Sequence, residues 1–379
     1  MTFQFDELIR RENTNSYKWD KYSGDVIPLW VADMDFTGAP AIREALHQLA
    51  EFNVIGYSRT PDELVDVICQ RLQDKHHWEI QPEWIVWLPG MIPGLHAASL
   101  SLGNTQAGVM TSTPVYRPFL DAATRPNRHL IDVPFQWKNA RWEMDFDQME
   151  AKITPDTRLY MLCNPHNPNG RMFDADELGK LADFCIKHDL WICSDEIHCD
   201  IIMDANKKHL SIASLSPAIA DRTITLLAPS KAFNIAGLGC SFAVIPNAEI
   251  RKKFTDSTFG LLPMPNAFAQ QAALAAYRDS ADWLEEVLTY LRGNHAYILE
   301  EINKIEGLRM TALEGTYLAW IDFSALQKPD FVSHLEKFGV GVQDASIFGG
   351  SNYFRLNFAT QRTRLQEAMK RIQLAVNSL

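Results

Sequence analysis

Short runs of apolar residues recur along the first 250 positions, each followed by a polar turn and then by a segment with helical spacing. Six of these runs predict strands: IVWL (85–88), GVMTS (108–112), RLYMLC (158–163), LWICS (190–194), TITLLA (223–228) and CSFAVI (240–245). Several are apolar at every position, which is typical of parallel strands that helices cover on both faces. The alternation of strands and helices predicts an α/β fold with a mostly parallel sheet.

Two helix starts carry capping signals. Thr60 precedes Pro61, with Glu63 three residues after the threonine, and Asp174 and Glu177 repeat that spacing. In a capping box, the side chain of the cap residue accepts a hydrogen bond from the backbone N–H three residues later. The acidic side chain of that later residue accepts a hydrogen bond from the backbone N–H of the cap residue. Both patterns therefore predict a helix start, with the proline at the first helical position in the earlier one.

The pattern changes after about residue 275. A helical segment at about 268–304 leads to TYLAWIDF, a helix near 330–338, the strand NYFRLNFA and the helix TRLQEAMKRIQLAV. This order predicts a small α+β domain at 276–379. We expect the N-terminal segment 1–45 to pack with it, beside a large domain at 46–275.

Composition and charge argue against several classes of protein. The chain has 379 residues, 46% of them hydrophobic, and a formal net charge of −11. Nucleic acids and anionic membranes are negatively charged and bind basic surfaces, so a chain with this net charge is not expected to bind either. Neither a signal peptide nor a transmembrane run is apparent, and the six cysteines form no CxxC pair. We expect a soluble, cytoplasmic protein that binds a small molecule.

Polar side chains follow four of the predicted strands. IVWL is followed by PGMIPGL, RLYMLC by NPHNPNG, LWICS by DEIHCD, and TITLLA by PSKAFN. Each segment alone has an ordinary explanation as a turn, a helix cap or a core histidine. In an open α/β sheet, however, ligands bind beyond the carboxyl ends of the strands. Because polar segments follow four of the predicted strands, the sequence predicts that they form one shared site.

The residue types at these ends suit pyridoxal 5′-phosphate (PLP). A desolvated Lys231 would lose its charge readily, and a neutral amine can attack an aldehyde. Asp195 could hold the ring nitrogen protonated, and Asn167 could donate to the ring hydroxyl. A helix N-terminus binds phosphate through its backbone N–H groups, which here belong to Gly90, Met91 and Ile92.

These motifs resemble the fold-type-I, aspartate-aminotransferase-like PLP enzymes. The matching segments are the PG turn at 89–90, TPVY (113–116), NPHNPNG (164–170), SDEIH (194–198), PSKAFNIAGL (229–238) and YFRLNFA (353–359). WVADMDF (30–36), GYSRTP (56–61) and SKAFNIAGL look most like the branch of MalY/PatB-type cystathionine β-lyases. The resemblance implies a seven-stranded sheet between helices, a small α+β domain, and a homodimer whose active site is completed across the interface.

The resemblance also implies roles for particular residues. Lys231 matches the lysine that bonds to the cofactor, and Asp195 matches the partner of its ring nitrogen. Asn167 matches an asparagine beside the ring hydroxyl, and Tyr116 an aromatic ring stacked on the cofactor. Tyr57 matches a tyrosine that reaches the phosphate from the partner subunit and, with Lys231 and Tyr116, completes the predicted catalytic set.

Arg355 matches the arginine that binds the substrate α-carboxylate. The residue pattern leaves its role open: alternation in NYFRLNFA places Tyr353, Arg355 and Asn357 on one face, which could equally be a solvated edge. A guanidinium fork nevertheless suits bidentate binding of a carboxylate.

Two positions depart from the transaminase pattern. His198 stands where many relatives have a tyrosine, and Gly239 stands where many have a phosphate-binding arginine. The lyase branch shows similar changes. The phosphate charge is then left without an assigned cation, and Ser230 is one candidate ligand.

Three functions remain open. The first is a carbon–sulfur β-lyase that converts L-cystathionine or related cysteine S-conjugates to thiol, pyruvate and ammonia. The second is a class I/II aminotransferase for a monocarboxylic or aromatic amino acid, and the third is an interaction protein with little turnover. No metal is expected, because Cys193, His198 and Cys199 do not have usable ligand spacing. No role is predicted for the pair His76-His77.

Overall fold

The computed structural model describes residues 3–52, 54–101 and 105–379. Its strands are β1 (Ile27–Pro28), β2 (Ile85–Leu88), β3 (Gly108–Thr113), β4 (His129–Pro134), β5 (Gln136–Lys138), β6 (Arg141–Glu143), β7 (Thr157–Cys163), β8 (Trp191–Asp195), β9 (Thr223–Leu227), β10 (Ser241–Val244), β11 (Arg309–Met310), β12 (Leu318–Asp322), β13 (Val340–Gly341), β14 (Gln343–Asp344) and β15 (Tyr353–Asn357). Its α-helices are α1 (Pro40–Glu51), α2 (Asp62–His76), α3 (Met91–Ser101), α4 (Arg117–Thr124), α5 (Phe146–Lys152), α6 (Ala175–Lys187), α7 (Pro217–Ala220), α8 (Ala248–Thr258), α9 (Ala267–Asp279), α10 (Ala281–Lys304), α11 (Phe331–Lys337) and α12 (Arg362–Asn377).

The large sheet has seven strands in the order β2-β10-β9-β8-β7-β3-β4. All neighbouring pairs from β9 to β4 are parallel, and β10 runs antiparallel to both of its neighbours. The six strands predicted from apolar runs are all present, to within one residue at each end. The predicted α/β fold with a mostly parallel sheet is therefore confirmed.

Both faces of this sheet are covered, as the continuous apolar runs predicted. On β7, Leu159 and Met161 pack in one core with apolar residues of α3, α4 and α8, while Tyr160 and Leu162 face a second core that includes α6. The seventh strand, β4, was missed because it lies at the edge. Its buried and more accessible positions alternate, so it has no continuous apolar run.

A third core joins both ends of the chain. Apolar side chains between Phe5 and Ile42 pack with others between Ala272 and Ala375. The four-stranded antiparallel sheet β11-β12-β15-β14 forms part of this region, and β1 pairs with β13 in parallel. The predicted domain boundaries at 45/46 and 275/276 stay a prediction.

Two local predictions were wrong and one is confirmed. Asp174 and Glu177 form the predicted capping box at the start of α6. At α2, however, Pro61 is itself the cap residue, and the hydroxyl of Thr60 accepts from Gln270 at 3.1 Å instead. The segment predicted as one helix at about 268–304 is interrupted at Ser280, whose hydroxyl donates to the carbonyl of Ala275 at 2.9 Å.

Across the described ranges, none of the helices is both long enough and apolar enough to span a membrane.

Candidate active site

A cavity of about 290 Å³ lies beyond the carboxyl ends of the central strands of the large sheet. It brings together all but one of the residues that the sequence singled out: Gly90, Met91, Ile92, Tyr116, Asn167, Asp195, His198, Ser230, Lys231 and Arg355. Strands β7, β8 and β9 supply five of these ten, directly or through the turns that follow. The convergence of strand ends thus has the geometry that was predicted, while the individual roles stay predictions.

Asp195 is the last residue of β8 and is buried. One carboxylate oxygen, Oδ1, accepts from the backbone N–H of Ile197 at 3.1 Å. Burial raises the pKa of Asp195 to about 7, although this hydrogen bond and the nearby Lys231 act against the shift. A cationic partner such as a protonated ring nitrogen would strongly stabilise the ionised form of this buried carboxylate.

Lys231 follows β9 and lines the same cavity. Its Nζ donates to the carbonyl oxygen of Ala32 at 2.7 Å. Desolvation and the Arg355 guanidinium, partly opposed by the carboxylates of Asp33 and Asp195, together lower the pKa of Lys231 to about 8. A substantial neutral fraction is therefore available near neutral pH, which both attack on an aldehyde and removal of a proton require.

Arg355 lies in the middle of β15 and is buried, so this face of the strand is not solvated. Nη1 donates to Oδ1 of Asn167 at 2.9 Å, and Nη2 donates to the carbonyl of Trp30 at 2.8 Å. Nε is buried and has no hydrogen-bond partner among the described residues. The alternation is as predicted, since Phe354 and Leu356 on the opposite face pack into the core. The guanidinium, which has no carboxylate partner among the described residues, can therefore bind a carboxylate ligand through Nε.

The backbone strap at residues 30–34 was not recognised as part of the site. Its carbonyls accept hydrogen bonds from the cavity side: Trp30 from Arg355, Ala32 from Lys231 and from Tyr317, and both Val31 and Asp33 from Asn357. The strap therefore positions both cationic side chains. The motif WVADMDF was visible in the sequence. Every residue type has a backbone carbonyl, however, so the sequence does not show which carbonyls will accept hydrogen bonds from the site.

The phosphate end of the predicted site is the start of α3. Gly90 and Met91 line the cavity where this helix begins, and Ser230 lines it from the turn after β9. Gly239 has a φ of +67°, and a Cβ atom there would lie 2.9 Å from the carbonyl oxygen of Pro89. The backbone thus excludes an arginine at this position. In the described chain, Lys231 and Arg355 are the only Lys or Arg side chains lining the cavity.

The remaining predicted residues differ in their placement. His198 is buried, and its Nδ1 has no partner within the described ranges. Burial lowers the pKa of His198 well below its usual value, so the ring is neutral. Tyr116 lines the cavity, and its backbone N–H donates to the carbonyl of Asn167 at 3.0 Å. Tyr57 is fully exposed and does not line the cavity of this chain.

Replacing Asp195 by Asn should stabilise the cofactor-free protein above pH 7. The folded-state pKa of about 7 exceeds the ordinary value of 3.8, so the folded state binds the proton more tightly and stability falls as the pH rises between these values. Above pH 7 the cost is on the order of 4 kcal/mol. Urea unfolding at pH 8 should show Asp195→Asn as the more stable protein, and the advantage should vanish near pH 4. Equal stabilities at pH 8 would contradict the burial of an uncompensated carboxylate.

Comparisons with known proteins agree with this geometry. Residues 24–372 match the family model "Aminotransferase class I and II", and the chain belongs to this family. It is 36% identical to cystathionine beta-lyase PatB of Bacillus subtilis (strain 168), over 98% of this chain and 100% of that protein.

Two solved structures are similar to this chain over nearly its whole length. Cystalysin from Treponema denticola, which contains a pyridoxal 5′-phosphate cofactor, has a TM-score of 0.95 and 32% identity and covers 100% of both chains. The PLP-bound C–S lyase from Staphylococcus hominis has a TM-score of 0.93 and 29% identity, over 99% of this chain and 98% of that one.

Proposed function

We propose that this protein is a PLP-dependent carbon–sulfur β-lyase. It eliminates the thiol from L-cystathionine or related cysteine S-conjugates and yields thiol, pyruvate and ammonia. The observation that carries the proposal is the meeting of Lys231, Asp195 and Arg355 in one cavity of a fold shared with named C–S lyases. An amine, a buried carboxylate and an unpaired guanidinium are the groups that this reaction needs.

The cavity residues fit PLP. Asp195 would hold the ring nitrogen. The hydrogen bond from Arg355 to Oδ1 of Asn167 orients the amide of this residue, and its Nδ2 would donate to the ring hydroxyl. His198 Nδ1 is a further buried atom in need of a partner. Tyr116 would stack on the ring, and the phosphate would bind Ser230 and the N–H groups of Gly90, Met91 and Ile92 at the start of α3. When bound, PLP supplies an aldehyde for the substrate amine and a ring that stabilises negative charge at the substrate Cα.

Lys231 is the proposed base. Its neutral amine takes the proton from the substrate Cα onto Nζ, a transfer that the lowered pKa favours near neutral pH. The bond between Cβ and sulfur then breaks, and the sulfur leaves as a thiolate with the bonding electrons. Lys231 or a nearby tyrosine can return a proton to this leaving group. The carbonyl of Ala32, which accepts a hydrogen bond from Nζ, would hold the amine at the cavity wall whenever it is not bonded to the cofactor.

Arg355 is the proposed carboxylate ligand. Its contacts with Asn167 and Trp30 fix the guanidinium plane, and its unpartnered Nε leaves donor capacity for the substrate. Binding the α-carboxylate here orients the Cα–H bond relative to Lys231. A substrate held at one end in this way can present side chains of different size toward the open part of the cavity.

An aminotransferase is the second candidate, because the matching family carries that name and the same residues begin both reactions. Arg355 is the one arginine that lines the cavity in the described part of the chain. A dicarboxylate-specific aminotransferase would need a second cation, so a monocarboxylic or aromatic substrate is the form of this alternative that the cavity supports.

The two functions differ in their need for an amino acceptor. Purified protein with PLP and L-cystathionine, but with no 2-oxo acid, should release one pyruvate and one thiol for each substrate consumed. Amino transfer without thiol release, seen only after a 2-oxo acid is added, would reject the lyase proposal in favour of the alternative. Failure to turn over any amino acid despite bound PLP would instead favour the interaction protein.

We also propose a cytoplasmic homodimer in which Tyr57 acts on the partner subunit's site. Tyr57 is fully exposed in this chain, and Phe52, Val54 and Ile55 beside it expose between 69% and 74% of their surface. A second exposed apolar stretch contains Phe259, Leu261 and Met264. Apolar side chains grouped in this way are typical of protein interfaces. Because Tyr57 does not line the cavity of its own chain, the role that the resemblance implies requires a second copy to receive it.

Mixing two inactive variants tests this arrangement. We expect Tyr57→Ala to weaken PLP retention and Lys231→Ala to lack the base. After the two are unfolded and refolded together, activity should recover to about one quarter of the wild-type value, because half of the dimers are mixed and each has one intact site. Failure to recover would show that Tyr57 and Lys231 act within one chain, whereas a Tyr57→Ala protein that is active by itself would show that Tyr57 has no role.

A further inference from the structure

A second group of side chains with metal-binding atoms lies in the core, outside the cofactor cavity. One ligand atom each from His76, Cys199 and Asp200 lies within 4.8 Å of the others. His76 ends α2, and the other two follow the DEIH turn that begins with Asp195. His76 and Cys199 are each about 5% exposed, and none of the three lines the cofactor cavity.

His209 lies next to this group, although its ring nitrogens are not within 4.8 Å of all three ligand atoms. Its Nε2 lies 2.8 Å from Oε2 of Glu196, while its Nδ1 is buried and has no partner in the described chain. The His209 ring centroid is 5.2 Å from that of His76, whose own Nδ1 is also buried and unpartnered. A carboxylate that binds one ring nitrogen and leaves the other free is the usual support of a metal-binding histidine.

The charges of the cluster also suit a divalent cation. Glu196 and Asp200 are acidic, and Arg71, which donates to Oδ1 of Asp200 at 2.5 Å, is the one Lys or Arg side chain paired with them among the described residues. Two carboxylates and one guanidinium leave an excess of one negative charge. A divalent cation that displaces the thiol proton of Cys199 to solvent adds one positive charge, so the buried cluster becomes neutral.

We propose that His76, Cys199, Asp200 and His209 bind one Zn²⁺ ion. The set of two nitrogens, one sulfur and one oxygen is a zinc donor set, and tetrahedral bonds of 2.0–2.3 Å place ligand atoms roughly 3.3–3.8 Å apart. The ligand atoms of His76, Cys199 and Asp200 must therefore approach one another by at most about 1.5 Å, and His209 must move further to join them. The ion is structural: it ties α2 and the loop at 204–211 to the turn that carries Asp195 and His198.

From the sequence, no metal site was expected. Cys193 and His198 were weighed with Cys199, but Cys193 packs in the core beneath α3 and His198 lines the cofactor cavity. The partners of Cys199 come from distant parts of the chain. Spacing rules recognise close ligand pairs and give no signal for such a site.

Zinc binding to the holoenzyme tests the proposal. After removal of metals with a chelator, the wild-type protein should take up one Zn²⁺ per chain in competition with a chromophoric chelator, and its unfolding temperature should rise. Cys199→Ala should lower the affinity by more than about 100-fold, since even loss of a second-shell group costs roughly 10- to 100-fold. The matched control is Cys185→Ala, which removes an equally buried thiol from α6.

Cobalt provides a measurement that needs no variant. The wild-type protein loaded with Co²⁺ should show a thiolate-to-metal charge-transfer band and the intense visible bands of four-coordinate cobalt, in difference spectra against the metal-free holoenzyme. Retention of PLP by each variant verifies its fold. Absence of stoichiometric Zn²⁺ from the wild type, absence of the charge-transfer band, or equal affinities in Cys199→Ala and Cys185→Ala would overturn the proposal.

Discussion

Lys231→Ala should lower the rate of thiol release from L-cystathionine by at least about 10⁴-fold. The variant loses the covalent attachment of PLP and the base for the substrate Cα proton together. No second lysine lines the cavity in the residues that the structure describes, so no neighbouring amine can substitute. The measurement is the rate of thiol and pyruvate formation by PLP-saturated protein.

A small primary amine provides the control for this variant. Alanine at position 231 leaves space in the cavity where the lysine side chain was, and an added amine can accept the Cα proton there. Partial recovery that grows with the concentration of the neutral amine would separate a lost base from a damaged fold. A variant with near wild-type turnover would show that Lys231 is not the base.

Arg355→Ala should lower kcat/KM for L-cystathionine by roughly 10²- to 10³-fold, the usual cost of removing one partner of a buried, hydrogen-bonded charge pair. The guanidinium is expected to bind the substrate, so PLP retention should change much less than substrate use. Arg355→Lys should recover little of the loss, because an ammonium group cannot reproduce the fork that contacts Asn167 and Trp30.

Two comparisons make the result specific. Arg309→Ala removes an exposed arginine from β11 of the same small sheet, where it packs 5.8 Å from the ring of Trp137, and should leave kcat/KM within about twofold. The amine that lacks the α-carboxylate should be an equally poor substrate for wild type and Arg355→Ala. If Arg355→Ala instead loses PLP and keeps its KM, the residue belongs to the cofactor site.

The sequence predicted the large sheet well because burial on both faces leaves continuous apolar runs. The strand β4 escaped because an edge position needs only alternate burial. Local capping chemistry was an uneven guide. Asp174 caps α6 as expected, whereas Thr60 bonds to Gln270 from a distant helix, a tertiary contact that no local pattern contains.

The same contrast holds for the site. The carboxyl ends of β7, β8 and β9 meet at one edge, so motifs that follow these strands could be assembled from the sequence alone. The strap at residues 30–34 contributes backbone carbonyls, and the exclusion of an arginine at Gly239 arises from the approach of Pro89. The strap carbonyls and the close approach of Pro89 to Gly239 both depend on contacts between segments that are distant in sequence. Residue types alone therefore do not predict them.

PLP should bond covalently to Lys231 in this cavity. Reduction of the holoenzyme with borohydride, followed by proteolysis and mass spectrometry, makes the attachment permanent and locates it. The pyridoxyl phosphate mass should appear on the peptide that contains Lys231 and on no other peptide. Stoichiometric labelling of a different lysine, or a PLP-saturated protein that carries no label at all, would contradict this expectation.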